Sequence, residues 1–62
     1  MTVKIFKLRE DGERMKSYRV LNRVKAIERD DTGITFVIDG WNEDRKFRLD
    51  FEGREFELEV FP

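Results

Sequence analysis

The side chains in this sequence that could do chemistry are carboxylates and cations. Asp and Glu number 14 and Lys and Arg 13, whereas His and Cys are both absent. Without imidazole or thiolate, the chain holds no Cys/His zinc site, no Cys or Ser-His nucleophile and no dithiol redox couple. Hard cations need only oxygen ligands, which Asp30, Asp31, Glu43 and Asp44 could offer. These acids are sequence neighbours in turn-like stretches, where a short carboxylate more often caps backbone amides. No D-x-[DN]-x-[DN]-G loop with its distant Glu accompanies them, so neither a metal nor another cofactor is expected. Paired carboxylates could also support acid-base catalysis, but that requires a pocket able to raise one pKa. A chain of 62 residues has little interior for such a pocket, and the expectation is a protein that is not an enzyme.

The net charge of −1 conceals a polarised chain. Residues 1–29 hold nine Lys/Arg against four acids, a balance of +5, and residues 30–62 hold four against ten, a balance of −6. Three uses of that polarity compete. A basic first strand could pair with an acidic last strand, so that Glu55, Glu57 and Glu59 neutralise Lys4 and Lys7 across a seam. Alternatively, Glu43, Asp44, Asp50, Glu52, Glu55, Glu57 and Glu59 form an acidic face offered to a protein partner with a basic surface. Like-charge repulsion in such a stripe costs stability unless a partner uses it. In the third use, Arg19, Arg23, Lys25 and Arg29 recur on the outward face of one strand as a stripe for the phosphates of single-stranded nucleic acid. The sequence pI of 5.4 weighs against that third use.

Trp41, in Asp39-Gly40-Trp41-Asn42, has two readings. A bulge at Gly40 would turn it inward as a core plug, the reading favoured here. If exposed, it is the best single binding anchor in the chain, because Trp is enriched among interface hot spots. Tyr18 and Phe61 have the same two readings, with the core favoured.

The elements that must position these groups are strands. Over Arg45–Phe51, Phe47, Leu49 and Phe51 alternate with Lys46, Arg48 and Asp50, and over Arg54–Phe61, Phe56, Leu58 and Val60 alternate with Glu55, Glu57 and Glu59. Period-2 alternation defines half-buried strands. Glu52-Gly53 between them fits a two-residue hairpin turn. The resulting register pairs Leu49 with Phe56, Phe47 with Leu58, Arg48 with Glu57 and Lys46 with Glu59, two apolar and two opposite-charge pairs. Upstream, Ile34–Asp39 is a β-branched and aromatic run preceded by the turn Asp30-Asp31-Thr32-Gly33, with Gly33 expected in the left-handed region of a bulged hairpin. Lys16–Glu28 reads as one long strand, bent or bulged near Leu21-Asn22 so that it serves two sheet faces, in preference to a helix with Val20, Leu21, Val24 and Ile27 as its apolar stripe. Thr2–Glu10 changes phase between Ile5 and Phe6. A three-residue connection Asp11-Gly12-Glu13 would place Phe6 opposite Tyr18, Leu8 opposite Lys16 and Glu10 opposite Arg14.

The fold expected is therefore one all-β domain over residues 1–62, a five-stranded antiparallel meander curled into a small SH3/Sm-like barrel or roll, whose closure would remove exposed edges. No run approaches the ~18 apolar residues of a membrane span, and no cleavage signature marks the N-terminal stretch. The compartment expected is the cytoplasm, or the host cytoplasm for a viral source.

Tyr18-Arg19-Val20-Leu21-Asn22-Arg23-Val24-Lys25-Ala26-Ile27-Glu28, followed by Thr35-Phe36, resembles the strand pattern of WYL-type domains and, more loosely, of Sm/SH3-like barrels. The resemblance covers about a third of the chain (residues 18–39), and the Trp-Tyr-Leu motif has no counterpart, since Asn42-Glu43 follow Trp41. It implies a bent-strand small barrel, with ligand or nucleic-acid sensing as a family habit. Compact, charge-dense, hairpin-rich chains also resemble small phage-encoded inhibitors and computationally designed barrels. The function expected is a non-enzymatic protein-interaction module, an inhibitor or regulator using its acidic face and Trp41. The alternatives are a small single-stranded nucleic-acid-binding barrel and a designed scaffold without a natural ligand.

Overall fold

A computed structural model describes residues 1–62. The chain is all-β, with β1 Thr2–Leu8, β2 Arg14–Leu21, β3 Val24–Arg29, β4 Gly33–Ile38, β5 Arg45–Asp50 and β6 Phe56–Phe61. The strands form two three-stranded antiparallel sheets, in the orders β2-β1-β6 and β3-β4-β5. No helix is present, so none is long and apolar enough to cross a membrane.

Six strands replace the expected five because the long run Lys16–Glu28 is cut, not merely bent. Arg23 adopts φ 60°, a left-handed conformation that ends a ladder. The chain enters this corner in one sheet and leaves it in the other. The break lies next to Leu21-Asn22, where a bend was expected, and the two halves do serve two sheets.

The expected β5–β6 hairpin does not form. Its turn does: Glu52 and Gly53 have φ 51° and 77°, and the Arg54 amide donates to the Phe51 carbonyl at 2.9 Å. Beyond the turn, however, Phe51 N–H donates to the Thr32 carbonyl, and the Glu55 carbonyl accepts from Leu8 N–H, each at 2.9 Å. The chain thus crosses between sheets within four residues. β6 pairs with β1 instead, setting Val3 opposite Val60, Ile5 opposite Leu58 and Lys4 opposite Glu59. With β5 and β6 unpaired, the sheets do not close into a barrel.

Two smaller expectations are corrected as well. Phe6 lies opposite Tyr18 as expected, but an irregularity then brings Leu8 opposite Arg14 rather than Lys16, and Arg9 N–H bonds the Glu13 carbonyl at 2.8 Å, so Glu10 does not face Arg14. Gly33 is absent from the positive-φ glycines. Its requirement is spatial, because a Cβ there would collide with the Leu49 carbonyl of the neighbouring strand.

The core sits where the inner sheet faces meet. Val3, Ile34 and Phe36 are fully buried, joined by Ile5 and Val24, with Leu21, Ile27, Phe47, Leu49, Phe56 and Leu58 packed half-buried around them. Only seven residues are buried in all, so most apolar side chains keep one flank in water. The Cα radius of gyration, 12.2 Å, exceeds the roughly 11 Å of a compact chain this long. The extents of 41 × 22 × 16 Å describe an elongated slab.

Register fixes its two ends. At one lie the β2–β3 corner, Met1, whose carbonyl accepts from Val24 N–H, and the β4–β5 loop, because Val24, Ile38 and Arg45 are lateral neighbours. At the other lie the β1–β2 and β3–β4 turns and the Phe51–Glu55 crossover, as the Leu8–Glu55 and Thr32–Phe51 bonds require.

Candidate functional site

The β4–β5 loop, residues 39–44, is built to project. A Cβ at Gly40 would collide with the Glu43 carbonyl, so the backbone doubles back on itself there. The ends of the loop are tied to the β2–β3 corner. Asp39 N–H donates to the Arg23 carbonyl at 2.9 Å, the Arg23 guanidinium lies 3.6 Å from Asp39 Oδ2, and Lys25 Nζ donates to Asp44 at 3.2 Å. Trp41, at the crown, is 94% exposed. The core plug expected for it is therefore overturned: β4 ends at Ile38, and the Gly40–Glu43 contact turns the chain outward before the indole could reach the interior. Glu43 beside it is exposed and makes no ion pair.

The acidic residues of β6 have a different surrounding. Glu57 and Glu59 lie on the outer face of their sheet, where Arg14 reaches from β2 over β1 to hold both, Nη1 meeting Glu59 at 2.6 Å and Nε meeting Glu57 at 3.0 Å. The Glu57 bond, followed by that to Glu59, raises the Arg14 pKa. The same guanidinium lies 4.3 Å over the Phe6 ring, a cation-π geometry. Lys4, opposite Glu59, sits 5.0 Å from the Tyr18 ring and 5.6 Å from that of Phe61. Basic and acidic strands thus meet across a seam, although the cation that binds the acids is Arg14 of β2, and neither Lys4 nor Lys7 makes an ion pair. Glu55 is exposed and engaged only through its backbone. Tyr18 is 50% and Phe61 42% exposed, so neither is a core residue; their rings flank Lys4 on the outer face.

The four cations read as one outward stripe are dispersed. Arg19 faces inward, opposite Ile5, with its guanidinium 4.9 Å from the Phe47 ring. Arg29 lies 5.1 Å over Phe51, while Arg23 and Lys25 face Asp39 and Asp44. The physical reason is the corner at Arg23, which puts Arg19 in one sheet and Lys25 and Arg29 in the other.

Sequence reasoning missed Arg48. From the outer face of β5 it donates to both Asp30 oxygens at 2.9 and 3.1 Å, to Thr35 at 3.0 Å, to Thr32 at 2.6 Å and to Asp50 at 3.0 Å. Asp30 also accepts the Thr32 and Gly33 amides at 2.8 and 2.9 Å. The Arg48 bonds, then those of Thr32, hold the Asp30 carboxyl well below the usual carboxylate range, and Asp30 in turn raises the Arg48 pKa. The Asp-x-Thr-Gly turn was visible in the sequence, and the Arg48 partnership needed the β4–β5 register. This cluster is a brace, in which Arg48 is bonded to Asp30, Thr32, Thr35 and Asp50 within the chain.

Compared with known proteins, the chain matches no family model, no curated protein and no solved structure.

Proposed function

We propose that the chain is a non-enzymatic protein-interaction module, an inhibitor or regulator whose anchor is Trp41. The carrying observation is an indole 94% exposed on a loop tied at both ends to the β2–β3 corner. A large apolar side chain in water is unfavourable on its own, and a pre-organised loop loses little entropy when a partner covers it. Glu43, two residues beyond Trp41 and in no ion pair, favours a partner with a basic rim around an apolar pocket, while Asp44 is engaged by Lys25. The free carboxylate nearest the indole in sequence is Glu43, whereas Arg14 engages both Glu57 and Glu59 on β6.

The test places a photo-crosslinking amino acid at position 42 and compares the captured proteins with those captured from a variant that also carries Trp41→Ala. A partner captured only when Trp41 is present, with unchanged circular dichroism of the variant, is the expected result. Identical capture by both would remove Trp41 from the interface.

A further inference from the structure

A groove of about 480 Å3 opens at the turn end of the inner face, where β5 leaves part of the other sheet uncovered. Ile5 and Phe56 form its floor, and Phe47 and Leu49 of β5 form one wall. Lys7, Arg19 and Arg54 line it and no carboxylate does. Two other depressions include carboxylates, Glu10 and Glu55 in one and Asp31, Asp50 and Glu52 in the other; a further one, lined by Arg9, Arg14 and Lys16, has none but only one apolar lining residue, Met15. None of Lys7, Arg19 and Arg54 makes an ion pair. The β5 wall is also an edge, paired with β4 on one side and with no strand on the other. Such an edge offers free backbone donors and acceptors.

We propose that this groove docks an extended peptide of a partner protein, with alternating apolar and acidic residues, which adds to β5 as a fourth strand of its sheet. The period of a strand dictates that composition. Inward positions of the added strand would lie against Ile5 and Phe56 beside Phe47 and Leu49. Outward positions would come beside Lys46, which makes no ion pair either. Carboxylates near the groove mouth would meet Lys7 and Arg54. A second copy of this chain is a poorer occupant, because its one strand of suitable composition, β6, already pairs with β1 and has its carboxylates held by Arg14. The groove lies at the opposite end of the slab from Trp41, so this site and the loop succeed or fail separately.

The test titrates the isotope-labelled full chain with a synthetic peptide of the sequence of residues 55–61, an acidic-apolar alternation detached from its own sheet. Saturable shifts of the Lys46 and Arg48 amides are expected, the ones that point to the free edge because Phe51, Leu49 and Phe47 direct theirs to β4, with affinity falling about tenfold in Lys7→Glu/Arg54→Glu, since two attractive contacts become repulsive. Absence of saturable shifts at β5 would overturn the proposal. So would equal binding of a peptide with Lys at its three Glu positions, a control made on the unaltered protein. A dimer in sedimentation that the peptide cannot dissociate would assign the edge to a second copy instead and also overturn it.

Discussion

The two sheets each have three antiparallel strands, one ordered β2-β1-β6 and the other a meander β3-β4-β5, and they treat their outer faces differently. In the β2-β1-β6 sheet the central strand is buried on both sides: Val3 and Ile5 face the core, while Phe6, facing out, is 8% exposed beneath Arg14 and beside Tyr18, whose ring centroid lies 5.1 Å away. In the β3-β4-β5 sheet the central strand sends Ile34 and Phe36 inward and presents Thr35 outward to the Arg48 brace. One outer face is sealed by aromatic rings under cations, the other by a guanidinium satisfied by carboxylates and hydroxyls. In both, an arginine from an edge strand is the cover. The comparison teaches that a 62-residue chain with a small core recruits charged side chains as roofing, their stems and flat heads shielding apolar surface while remaining wet.

Substitutions that strip each layer should break the comparison in graded steps. Phe36→Ala, at 0% exposure, should cost about 3–5 kcal/mol in denaturant unfolding, enough to leave a chain this small largely unfolded. Phe6→Ala, under a roof of side chains rather than a second sheet, should cost about 1.5–3 kcal/mol. If the two losses are equal, the outer face of the first sheet is a core in its own right. The brace should show itself through pH. Asp30 is held below its unfolded value near 3.9, so its stabilisation is complete above that value and is lost as pH falls through the depressed one. Acid unfolding followed by circular dichroism should therefore be shallower for Asp30→Asn than for the parent, and a carboxyl titration should find Asp30 the last acid to protonate. The smallest effect belongs to Trp41→Ala, within about 0.5 kcal/mol of the parent, because nothing packs on the indole.

Most strands were legible because one face of each is apolar and the other charged. β5 and β6 fall within the segments read from alternation and β1 within Thr2–Glu10, while β4 begins one residue before the β-branched and aromatic run Ile34–Asp39 and ends one residue short of its end. The misreading lay in partners. The β5–β6 register was chemically sound, with Phe47 against Leu58 and Arg48 against Glu57, and its turn forms. The β1–β6 register is equally sound, with Ile5 against Leu58 and Lys4 against Glu59. Local pattern cannot rank two matches of equal chemistry when the winner depends on where whole sheets lie. The corner at Arg23 was half legible, since Asn22 interrupts the apolar face there but nothing marks Arg23 for positive φ. For Trp41, residue type identified a candidate anchor, while its direction depended on the Gly40–Glu43 backbone contact, which sequence spacing does not encode.

The exposure of the single tryptophan has a spectroscopic consequence. An indole already surrounded by water in the native state will emit at nearly the same wavelength after denaturation, so the wavelength of tryptophan emission does not follow unfolding of this chain. The same property makes it a clean reporter of association, because a blue shift at that wavelength can arise only when something outside the native fold covers the ring.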